Sequence, residues 1–330
     1  MKAVRLRSPS PAGRALERSQ IYSSIGRLFL EGLTEESLPP SLAIPELAAT
    51  LPDLFDVDEA AADHHHLFGF NVFPYQSIFL DPAGLLGGEI AETVLLIYQQ
   101  AGFAPGEDAL ASSESVDHIG HELSYLAFLC AAESKAWEEE RPSETQTMID
   151  YQRRFLDTHL LRWLPPLVQA IKQQSNPLFS ALADLTLELS ASHWIDIWDE
   201  RQPHAGAPFA SSQRDLPRAL GSDEALRGTA NYLLTPVYSG FYLSRDDIGR
   251  LAREHQLPRG FGRRRGMLMN LLRSAMTYDS LGALLDSIAL LAGEWGEAYR
   301  HMVKGQVYTR FWQVRVDETA AALARISVNL

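Results

Sequence analysis

Apolar residues recur at spacings of three and four along most of this chain, and that period admits helices far more readily than strands. Leu281, Leu284, Ile288, Leu291, Trp295 and Ala298 form the cleanest such stripe. Ile21, Ile25 and Leu28 mark a second, Ile90, Val94 and Ile97 a third, and Ile119, Leu123, Leu126 and Cys130 a fourth. Leu178, Leu182, Leu185 and Leu189 carry a further helix toward Trp194 and Trp198. Helices are predicted over Glu89–Ala101, Asp117–Trp137 and Ser143–Leu164, the last ended by Pro165–Pro166 because proline lacks the donor a helix needs. Others follow the Ser244 cap to His255, span Met267–Met276, and run from Gln306 to Ile326. Ser77–Leu80 and Val237–Leu243 are the only strand candidates, and neither has a partner. The fold class expected is all-α.

With 330 residues, 46% of them hydrophobic, the chain can bury a sizeable core without covalent staples. Its single cysteine, Cys130, excludes an internal disulfide framework and lies on an apolar stripe, where inert packing is expected. No apolar run reaches the length of a membrane span, and the basic N-terminus lacks the apolar core of a signal peptide. A cytoplasmic location, without membrane insertion, is the expectation.

Charge is distributed unevenly. The formal net charge is −13, which argues against general nucleic-acid affinity. No Lys or Arg occurs between Arg27 and Lys135, a stretch that holds 18 carboxylates. Residues 241–330, by contrast, carry 13 Lys and Arg against 9 Asp and Glu. The acidic part suits either a plain soluble surface or a field that draws in a cationic, arginine-bearing peptide. The expected organisation is a flexible arm at 1–13, a helical domain at 14–200, a Pro/Gly/Ser-rich linker or exposed loop at 201–228, and a helical extension at 229–330.

Four clusters could carry chemistry. His64-His65-His66 are adjacent, so their side chains diverge and a polar loop is expected rather than a chelating site. In Asp117-His118-Ile119-Gly120-His121-Glu122, the pairs Asp117/His121 and His118/Glu122 each share a helical face. His118, His121 and Glu122 could therefore serve a zinc hydrolase, but the order matches neither HExxH nor HxxEH. Asp117 reads as an N-cap or first-turn acid, and His118 and Glu122 as flanking a groove edge. Arg263-Arg264-Arg265 follow Gly262 and offer a possible anion contact, with no nucleotide-binding loop beside them. Residues 244–275 suggest the first half of a DNA-binding helix-turn-helix, but Pro258, Gly260 and Gly262 break the would-be recognition helix. No catalytic set emerges, and neither a metal nor a cofactor is indicated.

Four segments together resemble the TorD/DmsD/NarJ family: Pro74-Tyr-Gln-Ser-Ile-Phe-Leu80, Tyr98-Gln-Gln-Ala-Gly-Phe103, Asp117 through Leu129, and Phe155 through Pro165. The resemblance covers about residues 14–200. It implies a TorD-like helical bundle with additional C-terminal helices, and no enzymatic activity. It further implies a cytoplasmic chaperone for the precursor of a molybdopterin-containing oxidoreductase of the dimethyl sulfoxide reductase type. Such a chaperone binds the partner's twin-arginine leader, prevents premature export and aids cofactor insertion; in the nitrate reductase branch the partner is instead a membrane-anchored enzyme that stays in the cytoplasm. Tyr75, Ser77, Asp117, His118 and Glu122 match the family's motif positions and are expected in the partner-binding groove, with Tyr125 and Phe128 as further helix-face candidates. The resemblance leaves residues 235–330 unexplained; covering the groove, touching the partner's body and touching an anionic cofactor stay open as roles. The competing classes are the DNA-binding regulator and the zinc hydrolase. Monomer and dimer are equally open.

Overall fold

The computed structural model of the chain describes residues 10–51, 54–105, 115–198, 216–217, 220–302 and 306–328. Among these, helices dominate and no strand forms; the sole extended pairing is an antiparallel bridge between Tyr75 and His118. The two strand candidates are corrected accordingly. Gln76–Leu80 is a short helix, and Pro236–Ser239 is a helical turn ended by Gly240.

The first half is built on a pair of long helices. α1 (Pro11–Glu31) starts where the Ser10 hydroxyl accepts the Gly13 N–H at 3.1 Å and Pro11 pre-sets the first turn. The expected arm is therefore helical from Pro11 onward, and residues 1–9 lie outside the described residues. α1 packs along the helix Ile119–Glu138, burying Tyr22, Ile25, Leu28 and Phe29. Glycines set their approach: a Cβ on Gly120 would meet Leu30 Cγ at 2.4 Å and the Gly26 carbonyl at 2.8 Å. A glycine in the first turn of that helix thus lets two backbones touch. Two short helices follow α1, α2 (Leu38–Leu42) and α3 (Pro45–Ala48). α4 (Val57–His64) then continues into a π-helical turn, His65–Asn71. After α5 (Gln76–Leu80) and α6 (Gly88–Gln100) comes α7 (Ile119–Glu138).

The predicted helix Ser143–Leu164 is three pieces: α8 (Pro142–Phe155), a π turn at Leu156–Leu160, and α9 (Leu161–Lys172). Pro165 and Pro166 do not end it; both lie inside α9. Each removes an N–H, so the carbonyls four residues earlier, on Leu161 and Arg162, lose their α-helical donors. The Arg162 carbonyl is served from elsewhere, accepting the indole N–H of Trp312 at 2.8 Å. α10 (Pro177–Asp196) closes the first half.

Of the predicted linker 201–228, residues 201–215 and 218–219 lie outside the described residues, Leu216 and Leu220 are buried, and α11 (Asp223–Leu234) already begins inside it. α12 (Pro236–Ser239), α13 (Arg245–Glu254) and α14 (Arg264–Thr277) follow. The helices α15 (Leu281–His301) and α16 (Gln306–Ser327) then pack together as a hairpin. This half shares one core with the first. Phe79 stacks on Tyr242 at 5.3 Å between ring centres, Tyr308 donates to Asp157 Oδ1 at 2.5 Å, and the Phe73 N–H donates to the Tyr242 hydroxyl at 3.2 Å. Gly240, at φ +80°, lies so close to α16 that a Cβ would meet the Val316 nitrogen at 2.3 Å.

Candidate functional site

The residues of the Asp117–Glu122 motif converge with the Pro74–Leu80 segment. The Tyr75–His118 bridge pins the two together: the Gln76 N–H donates to the Asp117 carbonyl at 3.0 Å and the Ile119 N–H to that of Pro74 at 2.9 Å. The expected N-cap or first-turn role of Asp117 is corrected: it does not cap its own helix, and its Oδ2 accepts the Ser77 N–H at 2.7 Å, near the start of α5. The cap of α7 is His118, whose Nδ1 accepts the Gly120 N–H at 3.1 Å. An acceptor Nδ1 means a neutral ring with its proton on Nε2. Burial, with His121 and His64 nearby, holds the His118 pKa down to about 3. The Tyr75 ring meets the His118 ring edge-on at 4.9 Å.

One helical turn on, Glu122 Oε2 accepts the Trp163 indole N–H at 3.1 Å. Burial, then the charge of Asp117, pushes the Glu122 carboxyl well above its ordinary value. Tyr125 packs among Tyr98, Phe103 and Phe155. Ser77 Oγ accepts the Gly87 N–H at 2.9 Å, tying the far end of the Pro82–Gly88 turn back to α5. Five of the six groove candidates thus meet around the N-terminus of α7, with Tyr125 one turn deeper. The structure corrects their placement: Ser77, Asp117, His118, Glu122 and Tyr125 are buried, not set on a groove edge, because residues 74–80 lie across the helix end. Tyr75 is half-buried. What this cluster does chemically is hold the segment from Pro74 to Gly88 in place.

The zinc alternative fares poorly on geometry. His118 spends Nδ1 on a backbone amide, Glu122 is engaged by Trp163, and among the described residues no three His, Cys, Asp or Glu side chains cluster as metal ligands. The histidine triplet diverges as its adjacency dictates: His64 donates to the Phe29 carbonyl at 3.0 Å, His65 packs on Phe70, and His66 Nε2 lies 3.3 Å from Asp246 Oδ2. The DNA-binding alternative fails too. Nine residues separate α13 from α14, and Met267, Leu268, Leu271, Leu272 and Ala275 of α14 are buried. Cys130 is buried, and burial raises its thiol pKa far above the reactive range.

Two concavities flank the segment Val57–Asn71, and periodicity pointed to neither. The first, about 220 Å³, lies between α4 and the start of α10. Leu33, Phe55, Leu178 and Phe179 give it an apolar floor, and the exposed carboxylates of Asp56, Glu59 and Asp63 rim it. The second, about 750 Å³, opens between the two halves of the chain. The segment held by the motif forms one wall through Ile78, Pro82, Leu85 and Leu86. Arg245, Arg263, Arg264 and Arg265 form the other. Of the predicted anion-contact residues, Arg263 and Arg265 are exposed. Arg264 is half-buried, with its guanidinium 4.3 Å above the Tyr242 ring and donating to the Leu243 carbonyl at 3.1 Å. The signal available in the sequence was the Pro-Ala-Gly-Leu-Leu-Gly-Gly run at 82–88, too apolar for an ordinary surface turn.

The sequence model of the "Nitrate reductase delta subunit" family matches residues 35–169, the window that holds the whole motif cluster and Trp163. The chain is 29% identical over 178 residues to the chaperone protein TorD of Vibrio cholerae serotype O1 strain O395, covering 51% of this chain and 77% of that protein. It is 28% identical over 155 residues to TorD of Photobacterium profundum, covering 45% and 69%. Against TorD of Vibrio vulnificus strain CMCP6 the identity is 33% over 150 residues, covering 43% and 67%. No solved structure gives a significant match. Among the described residues, no helix is long and apolar enough to cross a membrane. These relatives are named as chaperones rather than catalysts, and with the motif cluster inside the matched window, this chain belongs to the TorD-like family of maturation chaperones.

Proposed function

We propose that the chain is a cytoplasmic chaperone that holds the precursor of a molybdopterin-containing oxidoreductase, of the dimethyl sulfoxide reductase type, by its twin-arginine leader until the cofactor is inserted, and so delays export. The observation that carries this reading is the acidic pocket. A leader of that kind offers paired guanidinium groups beside an apolar stretch. The pocket offers three carboxylates, Asp56, Glu59 and Asp63, beside Leu33, Phe55 and Phe179. Carboxylates take guanidinium groups in charge-assisted, often bidentate bonds. All three carboxylates also belong to the stretch from Arg27 to Lys135, which contains no Lys or Arg between its ends. Tyr75, Ser77, Asp117, His118, Glu122 and Tyr125 enter this reading as framework: they fix the segment that separates the halves and do not themselves face the leader.

The test is titration of a labelled leader peptide against the intact chain. Replacing both leader arginines by glutamine, or introducing Glu59→Lys with Asp63→Lys, is expected to weaken binding at least tenfold at 50 mM salt, with a steep salt dependence for the native pair. Equal affinity for the arginine and glutamine peptides would sink the reading.

A further inference from the structure

The second cleft has the opposite character, and nothing in the family's motif accounts for it. Its four arginines come from the extension beyond the matched window. The chain as a whole has 42 carboxylates to 29 Lys and Arg, so cations find partners easily: Arg27, Arg141, Arg250, Arg273 and Arg300 each sit against one or two. Arg245, Arg263, Arg264 and Arg265 make no ion pair among the described residues. Two of them lie against rings instead: Arg245 lies 5.3 Å over Phe70, and Arg264 4.3 Å over Tyr242 and 5.6 Å over Phe73.

The local sequence is also arranged against its own helix. Three adjacent arginines stand at the start of α14, where the helix dipole is positive, with no acid in the first turn and no side-chain cap. The neighbouring α13 shows what the same chain does otherwise: a full capping box from Ser244 and Asp247, with Asp246 beside it. Across the cleft, Leu85 is 63% and Leu86 49% exposed, a pair of large apolar side chains open to water.

We propose that this cleft docks an acidic polypeptide segment whose carboxylates alternate with apolar side chains, and that the segment comes from the client outside its leader. The apolar wall of Ile78, Leu85 and Leu86 takes the apolar side chains; the arginine wall takes the carboxylates. Charge excludes the leader itself, whose guanidinium groups the four arginines repel. Four cations shared between two elements, Arg245 on α13 and Arg263–Arg265 at the start of α14, suit a chain carrying several carboxylates better than one compact anion. The proposal rests on the chaperone reading only in naming the client as the source; the cleft chemistry stands without it.

The experiment uses the intact chain and two labelled sixteen-residue peptides, one alternating leucine with glutamate and one alternating leucine with lysine. Fluorescence anisotropy at 50 and 300 mM salt reads the binding. The expected result is that the glutamate peptide binds at least tenfold more tightly than the lysine peptide, despite the chain's net charge of −13. Arg263→Glu with Arg265→Glu, two exposed positions, should cost at least tenfold in affinity for the glutamate peptide, and Leu85→Ser with Leu86→Ser a similar factor. Leader binding in the same arginine variant should remain within twofold, which separates this proposal from the previous one. Equal binding of the two peptides, or native affinity in the arginine variant, overturns it. So does displacement of the peptide by micromolar inorganic pyrophosphate, which would mark a small-anion site, or arginine-dependent capture by phosphatidylglycerol vesicles, which would mark a lipid surface.

Discussion

The backbone N–H of Ser77 donates at 2.7 Å to Oδ2 of Asp117, forty positions further along the sequence, and both residues are fully buried. This one bond joins the start of α5 to the residue preceding the cap of α7. Asp117→Asn keeps an acceptor there, whereas Asp117→Ala strands a buried amide at a cost of about 1–3 kcal/mol. The expectation is that the alanine variant keeps its helical circular dichroism but exchanges the amides of residues 76–80 much faster. Indistinguishable exchange in the two variants would show that the carboxylate does not hold the segment.

At the crossing of α1 and α7, Gly120→Ala should destabilise the chain by about 1–3 kcal/mol, because the added methyl meets Leu30 and the Gly26 carbonyl. Gly293→Ala is the matched control. It lies inside α15 with open space around its Cα, and should be neutral or stabilising by up to about 1 kcal/mol. Urea midpoints of the two variants, measured together, check both signs.

Stability should fall as the medium is acidified below about pH 6.5. Burial holds His118 down to about 3 and His159 to about 4, so the unfolded chain takes up protons that the folded chain refuses. Each histidine contributes a slope of up to about 1.4 kcal/mol per pH unit, ending near its folded value. Glu122 works the other way. Its raised pKa favours the folded state at low pH, and that contribution is lost as the pH rises past the ordinary carboxylate range. Glu122→Gln keeps the acceptor for Trp163 and removes the titration, so the variant should gain on the native chain between pH 5 and 8. Parallel stability curves over that range would contradict the upward shift of Glu122.

Trp312→Phe removes the donor to the Arg162 carbonyl along with part of a fully buried ring. The expected loss is about 2–4 kcal/mol, within the range for core truncations with an unmet polar group. Tyr308→Phe, which loses the bond to Asp157, should lose about 1–2 kcal/mol. Because the halves share one core, the unfolding transition of both variants should stay single when followed by tryptophan fluorescence and by circular dichroism.

How much of this was legible beforehand follows from the range of the forces involved. Helical identity was, since the stripes at Ile119–Cys130 and Leu281–Ala298 encode a buried face directly. The identity of the motif cluster was as well, through the ordered segments it occupies. The burial of Asp117, His118 and Glu122 was not: periodicity reads them as flanking the stripe, and contacts between distant segments, the Tyr75–His118 bridge and the Trp163–Glu122 bond, cover them. The same holds for α9. A proline pair reads as a stop, and what lets the helix run through it is a carbonyl acceptor satisfied by Trp312, 150 residues away. The two clefts were half visible, as an uneven charge distribution whose geometry awaited the packing of α13 and α14 against the Phe70–Leu86 segment.

That proline pair also sets an order of events during synthesis. When α9 leaves the ribosome, its Arg162 carbonyl has no donor within its own helix, and the indole that satisfies it is made 150 residues later. Until then the face that receives α16 is open to water. The nascent chaperone therefore reaches its finished form, with the arginine wall standing opposite Leu85 and Leu86, only after nearly all of the chain has emerged.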